Sequence, residues 1–415
     1  MRPRAIATIG FGAAMLACST RYHNISFDMG QHYALISYIE EHFALPTCGS
    51  DSDLYLDIMC GYPPVAHIIA AIFGYFARSP FFGMILVSAA GVFTIYAAIL
   101  SMLRFEKDMA SLYAAIALVS ACFLMHASML GAEVNRNYFF SQLVGTAFFL
   151  GFVTTERSLR PFPTLIAIFL LGWVYPITAV QLGCTAIISM LISRQTIISI
   201  LPFVISAAGA VYFHPLFHSS AALANNNGVI GSGHIPAEWT IFVVIALAIS
   251  SALLFWSYRR GVLPLLRPIP FISISAGIAG AGVVQYAALR LLSQGSDYIV
   301  YKHLFGAFTM LVANIIVWII VVSYRFIDRA KVSHLRMAWA AALGAVFCSM
   351  TAISPFGGFS TRSFADAERA SRLSQSIVSL DNHYEQFALE VAVLKKPIVE
   401  TADRHIREMQ LSSSK

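Results

Sequence analysis

The chain has 415 residues, 58% of them hydrophobic and only 12% charged, with a formal net charge of +6 and a mean hydropathy of +0.71. A soluble domain carries about 25% charged residues, so this sequence has about half the charge that a water-facing surface needs. That excludes a soluble enzyme, a disordered chain and a nucleic-acid binder, and the long apolar runs point to spanning helices rather than the alternating strands of a barrel.

Taken in chain order, eleven apolar runs read as spans, at about 5–20, 80–103, 109–131, 138–154, 163–176, 177–193, 195–213, 238–257, 268–291, 304–324 and 337–354. Helices satisfy their own backbone groups in lipid, so the expected class is an all-α polytopic membrane protein of about 11 transmembrane helices. The first 18 residues close on Met15-Leu16-Ala17-Cys18, which resembles a lipoprotein signal, but Leu16 fits that pattern poorly, cleavage there would discard a span the topology needs, and a retained helix is the better reading. The fifth and sixth runs meet at Tyr175-Pro176 and read either as one broken helix or as two short passes. Two passes keep Arg160 and Arg194 on one side.

With the N-terminus cytoplasmic, the inner segments hold Arg2, Arg4, Arg104, Lys107, Arg157, Arg160, Arg194, Arg259, Arg260, Arg267, Arg325, Arg329, Lys331 and Arg336, which is 14 basic residues. The outer segments before the tail hold five: Arg21, Arg78, Arg136, Arg290 and Lys302. This bias sets the orientation. Residues 62–77 are apolar but too short to cross, and counting them would put every later basic loop on the wrong side. They read as a helix lying at the outer surface or dipping into it. Residues 21–79 then form one large first extracytoplasmic loop within a membrane domain of 1–355. Residues 356–415 form an extracytoplasmic tail. Within it, 362–410 reads as an amphipathic helix, with Leu373, Ile377, Leu380, Phe387 and Leu394 at helical spacing and an interruption at Pro397.

Cys18, Cys122, Cys184 and Cys348 fall in apolar runs and read as packing residues. Cys48 and Cys60 share the first outer loop, where an oxidising compartment permits a disulfide that no spacing rule decides. The same loop, from Arg21 to Gly61, gathers six acids: Asp28, Glu40, Glu41, Asp51, Asp53 and Asp57. It contains Ser26-Phe27-Asp28-Met29-Gly30-Gln31-His32-Tyr33, a helical stretch over Ala34–Phe43, and a close at Gly61-Tyr62-Pro63-Pro64-Val65-Ala66-His67. Asp28 and His32 are four apart and would share one helix face, and the Pro pair fits the first turn of the helix that follows.

An acid just after the first span, a loop of surface helices and a Tyr-Pro-Pro opening the next helix resemble the membrane glycosyltransferases of the GT-C superfamily, which include protein mannosyltransferases, lipid A aminoarabinose transferases and arabinosyltransferases. The resemblance covers mainly residues 1–180 and rests on Asp28 and Tyr62-Pro63-Pro64. It implies transfer of a sugar from a polyprenyl-phosphate donor to a glycan, lipid or protein acceptor at the outer face of the inner membrane. The acidic pair usual in these families is reduced here to Asp28, so neither a metal nor another cofactor is expected.

Chemistry gives these residues roles. A sugar hydroxyl is a poor nucleophile at neutral pH, so a positioned carboxylate can serve as general base, and Asp28 is the expected one. Otherwise it is a solvated loop acid or a helix N-cap. The leaving phosphate needs cations, and Arg136 (beside Glu133), Arg290 and Lys302 (with Tyr298 and His303) are the outer candidates. Their alternative is snorkelling to headgroups. His32, Tyr62 and His67 complete the expected substrate-binding set. His214, His218 and His234 lie in another outer segment, whose spacing is poor for zinc and better suits a loop over the site. The rival readings are a transporter or flippase of a lipid-linked or polar substrate, although charge-free spans and the lack of a repeat speak against it, and a non-catalytic subunit of a glycan assembly complex.

Overall fold

The computed structural model describes residues 27–47, 59–102, 140–156, 159–194, 196–212, 237–263, 267–292, 297–328 and 361–374, with a few isolated positions elsewhere. The spans expected at 109–131 and 337–354, most of the one at 5–20, and Cys48, Glu133, Arg136 and the histidine segment 214–234 lie outside the described residues.

The described residues are helical, with no strand. In chain order the helices are α1 (Phe27–His42), α2 (Val65–Ala77), α3 (Pro80–Met102), α4 (Phe140–Thr155), α5 (Pro161–Val174), α6 (Pro176–Ile192), α7 (Leu201–Tyr212), α8 (Ala237–Arg259), α9 (Pro268–Leu292), α10 (Asp297–Asp328) and α11 (Thr361–Ser374). Four helical stretches are long and apolar enough to cross a membrane: Pro80–Met102, Thr240–Arg259, Pro268–Leu291 and Ile299–Trp318. The expected runs at 138–154, 163–176, 177–193 and 195–213 form shorter apolar helices. At 1.5 Å per residue the 14-residue α5 is only about 21 Å long, short of a hydrocarbon core of about 30 Å.

Proline and backbone reversal explain the boundaries. Pro161 and Pro176 start α5 and α6, where an absent N–H leaves no helical bond unmade. Tyr175 between them is extended (φ −165°, ψ 110°), so the Tyr175-Pro176 junction separates two helices. Pro64 likewise precedes α2, which stops at Arg78 in the left-handed region (φ 55°), where its N–H closes back on the Gly74 and Tyr75 carbonyls. Thirteen residues make α2, about 20 Å, so it stays a short element beside the long spans.

Packing runs α1 on α2, α2 on α3, α3 on α4, and then through α5, α6 and α7 to α9, α8 and α10. The α2–α3 crossing is tight because both sides are glycine: a Cβ on Gly83 would lie 2.1 Å from the Ala70 carbonyl and 2.6 Å from the Gly74 nitrogen. Tyr33, Tyr96, Phe140, Phe149, Phe203 and Phe271 fill the interior. Phe162, Phe169, Leu170 and Trp173 stand exposed on α5, as expected of a lipid-facing helix.

The two ends of the bundle differ. At one end Arg267 donates to the Thr154 carbonyl, and Arg160 pairs with Glu156 at 2.9 Å. Twelve residues earlier along α4, at the other end, Gln142 meets the start of α10. Part of the tail is buried against the bundle: Leu389 joins the hydrophobic core, Ser371 and Glu390 are buried, and Glu368 and Arg372 act electrostatically on Tyr33.

Three expected boundaries move. α1 begins at Phe27 rather than near Ala34, which places Asp28 in a first helical turn, where a carboxylate is favourable. α10 begins at Asp297 rather than 304, so Lys302 and His303 lie inside the helix. The tail is not one helix over 362–410. It leaves the helix after Ser374, where the Ser371 hydroxyl takes the Val378 N–H at 3.0 Å and Ser374 and Ser376 bond one another, the competition with helical bonds that serine offers.

Candidate functional site: a buried polar cluster where the loop helices meet the bundle

Three segments far apart in the chain converge at the α1–α2–α4 junction. α1 supplies His32, the Tyr62-Pro63-Pro64 turn and the start of α2 supply Tyr62 and His67, and α4 supplies Phe140, Ser141 and Gln142. The His32 and His67 ring centroids lie 5.0 Å apart, Tyr62 sits edge-on to both at 5.3 and 5.7 Å, and Phe140 touches both from the other side. His32 Nδ1 is 2.8 Å from His67 Nε2, and His67 Nδ1 is 3.2 Å from the Pro63 carbonyl.

This geometry assigns the protons. A carbonyl only accepts, so His67 Nδ1 carries a hydrogen and donates it to Pro63. In the neutral ring His67 Nε2 is then the acceptor, and His32 Nδ1–H donates to it. The remaining lone pair of the dyad is on His32 Nε2. Burial disfavours the imidazolium of both. It holds His32 well below its ordinary value, with His67 and Lys302 pushing the same way. His67 is lowered to about 3, burial outweighing the Pro63 bond that acts against it.

α10 brings the cation. Lys302 is 2% exposed and acts electrostatically on His32. Gln142 Nε2 donates to the Lys302 carbonyl, and the Ser141 hydroxyl reaches the Pro63 carbonyl at 3.5 Å. The next residue, His303, is buried with its Nδ1 3.4 Å from Gln181 Nε2 of α6. Deeper along the same helix, Asn314 Oδ1 accepts from Ser275 of α9 at 3.1 Å.

Of the residues picked from the sequence, His32, Tyr62, His67, Lys302 and His303 are thus gathered at one end of the bundle. Asp28 lies one turn before His32 on α1, and Tyr298 one turn before Lys302 on α10; the side chains of both lie outside what the structure describes. Arg290 is not part of the buried cluster: it is exposed near the end of α9, its guanidinium carbon 5.5 Å from the Tyr286 ring centroid. Sequence reasoning missed Gln142, Gln181 and Ser141. An amide inside an apolar run was the available signal, since burying one is costly without a partner. Among the described residues no group of three His, Cys, Asp or Glu side chains is placed to hold a metal ion.

Beside the cluster, α1 and α2 enclose an open groove of about 530 Å³ lined by Ile39, Glu40, Phe43, Ile68, Ile72 and Phe76. The cluster therefore offers one cation, a neutral imidazole lone pair and amide groups, next to an apolar slot. No protein-family model, no curated protein and no solved structure matches the chain.

Proposed function

We propose that the chain is an integral-membrane glycosyltransferase of the GT-C type that moves a sugar from a polyprenyl-phosphate donor to an acceptor hydroxyl at the outer face of the inner membrane. In this reading the Asp28 carboxylate takes the acceptor O–H proton. The acceptor oxygen forms a bond to the anomeric carbon as that carbon's bond to the phosphate oxygen breaks, and the polyprenyl phosphate leaves as an anion beside Lys302. The N-terminus is cytoplasmic, the tail is extracytoplasmic, and the α1–α2 groove takes the prenyl chain.

The observation that carries the reading is the meeting of His32, His67 and Lys302 from three distant segments in one buried site. It lies at the end of α4 opposite Arg160 and Arg267, where a positive-inside topology puts the outer face.

The test is transfer of labelled sugar from polyprenyl-phosphate donors in membranes carrying the wild type or Asp28→Asn. A loss of about 100-fold or more is expected for the variant, the usual share of a general base. Full activity in Asp28→Asn rejects the base, and no transfer by the wild type from any donor rejects the enzyme.

A second reading, a transporter or flippase, is favoured by the Ser275–Asn314 pair. Asn314 is fully buried with its Nδ2 unbonded, 11 residues or about 16 Å beyond His303 along α10, and polar groups at such depth are common in transport pathways. Donor uptake into proteoliposomes without sugar transfer would select this reading.

A further inference from the structure

The Gln142 side chain is 2% exposed, and its two polar atoms have unequal fates. One bonds the Lys302 carbonyl. Because a carbonyl accepts only, the bonded atom must be Nε2, so the amide cannot be flipped. The other atom, Oε1, is buried with no hydrogen-bond partner among the described residues. A buried acceptor without a donor costs free energy, and a ligand hydroxyl would relieve that cost. Its location narrows the donor's chemistry. Gln142 is tied to the backbone of a buried lysine and follows Phe140, which touches His32 and His67. The Lys302 charge acts on His32, which Phe140 touches, so a second cation is a poor fit in this cluster and a neutral O–H is a good one. The same lysine welcomes an anion close by.

We propose that Gln142 reads the sugar: its Oε1 accepts a hydrogen bond from a hydroxyl of a neutral sugar whose phosphate lies toward Lys302. This rests on the glycosyltransferase reading and sharpens it, because it selects a neutral hydroxylated sugar over one bearing a free amine. Gln142 is a specificity-determining residue in this account and takes no part in bond making.

The experiment measures binding to the purified full-length protein in detergent. The probes are a short-chain prenyl phosphate, its mannosyl, glucosyl and arabinosyl esters, and an ester carrying a free amino sugar. In the wild type the best neutral-sugar ester binds about tenfold tighter than the bare prenyl phosphate, as expected for filling a buried acceptor, and the amino-sugar ester gains nothing. In Gln142→Met the ratio of ester to bare phosphate falls to about one. Gln142→Asn, which keeps an uncharged amide but draws its oxygen back by one methylene, also lowers the ratio and serves as the readout if the Met variant does not fold.

An unchanged ratio in Gln142→Met, or in Gln142→Asn where the Met variant does not fold, overturns the assignment and leaves only water as the partner of Oε1. A wild type that binds the bare phosphate and every ester alike overturns it too, while leaving the lipid-phosphate reading in place. A wild type that binds none of the probes overturns both.

Discussion

His32 donates a 2.8 Å hydrogen bond to His67 across 35 residues of sequence, and His67 Nδ1–H in turn donates to the Pro63 carbonyl. The Tyr-Pro-Pro turn therefore sets the tautomer of a residue on another helix. Pro63 contributes the carbonyl, Pro64 fixes the start of α2, and His67 lies three residues further on. The result is a rigid, neutral pair with its one open lone pair on His32 Nε2, toward which Lys302 contributes charge.

The dyad makes stability depend on acid. His67 is held down to about 3 in the fold against an ordinary value of about 6.5 in the unfolded chain. Below pH 6.5 the unfolded chain binds the proton first, so stability is full above that pH and is lost as pH falls toward the folded value. Between pH 7 and 4.5 the loss for one such group is roughly 2–3 kcal/mol. His67→Asn keeps an N–H for the Pro63 carbonyl and does not titrate, so its melting temperature should fall less steeply with acid than that of the wild type. His42→Asn, at an exposed position, should leave the slope alone. A His67→Asn slope equal to the wild type's would show that the imidazole is not buried neutral.

Lys302 is the only cation among the described residues placed against the dyad. Lys302→Met should weaken binding of a short-chain prenyl phosphate by at least about tenfold, the scale of a charge-assisted bond, without unfolding the bundle. Arg290→Met, at an exposed site, should change that affinity by less than about twofold. Titration calorimetry in detergent reads both, and equal effects from the two would remove the special place given to Lys302.

Tyr33 offers a stability test at the tail contact. Its hydroxyl is fully buried with no hydrogen-bond partner. Burial raises its pKa well above the ordinary value, with Glu368 and Glu40 adding to the rise and Arg372 opposing it. Replacing a stranded hydroxyl with a hydrogen removes a desolvation penalty. Tyr33→Phe should therefore melt at the same temperature as the wild type or about 1–3 °C higher. A clear drop would reveal a partner for the hydroxyl.

The sequence carried the local features of this site and not its assembly. Proline chemistry is local, so the Tyr62-Pro63-Pro64 turn and the break at Tyr175-Pro176 were legible, as was the pairing of positions 28 and 32 on one helix face. The approach of Gln142 to Lys302 spans 160 residues, and nothing in either neighbourhood encodes it. Hydropathy placed the start of α10 seven residues late because Asp297, Lys302 and His303 lower the average, although Lys302 and His303 are tolerated inside the helix because neighbours bury them. Gln142 and Gln181 were passed over for the opposite reason: a single amide barely dents an apolar run, yet such an amide must find a partner. Arg290 drew notice as a rare outer cation, but its side chain turns to Tyr286, a choice that packing decides.

The α2–α3 crossing predicts a steric effect. A Cβ on Gly83 would overlap the Ala70 carbonyl and the α2 backbone at Gly74, and backbone cannot swing aside as a side chain can. Gly83→Ala should cost about 1–3 kcal/mol, and Gly83→Leu more. Gly280→Ala, where a Cβ meets nothing within 4 Å, should be nearly neutral or slightly stabilising through helix propensity. Thermal melts of the three variants in one detergent check this, and a harmless Gly83→Leu would mean that α2 does not lie across α3 as described.

Cys60 joins covalent chemistry to topology. It is disulfide-bonded, two residues before the Tyr62-Pro63-Pro64 turn, and the loop partner expected from the sequence is Cys48. Closing a loop of that length stabilises a fold by about 3 kcal/mol in the chain-entropy account, here at the segment that delivers His67 to His32. Disulfides persist in oxidising compartments and are reduced in the cytosol. Digestion without reductant should therefore release peptides containing Cys48 and Cys60 as one linked species, which separates on reduction. In intact cells a thiol reagent should label neither cysteine until a reductant is added. Free thiols at both positions in freshly isolated membranes would put the loop on the reducing side. That single result would reverse the orientation on which the proposed outer-facing site depends.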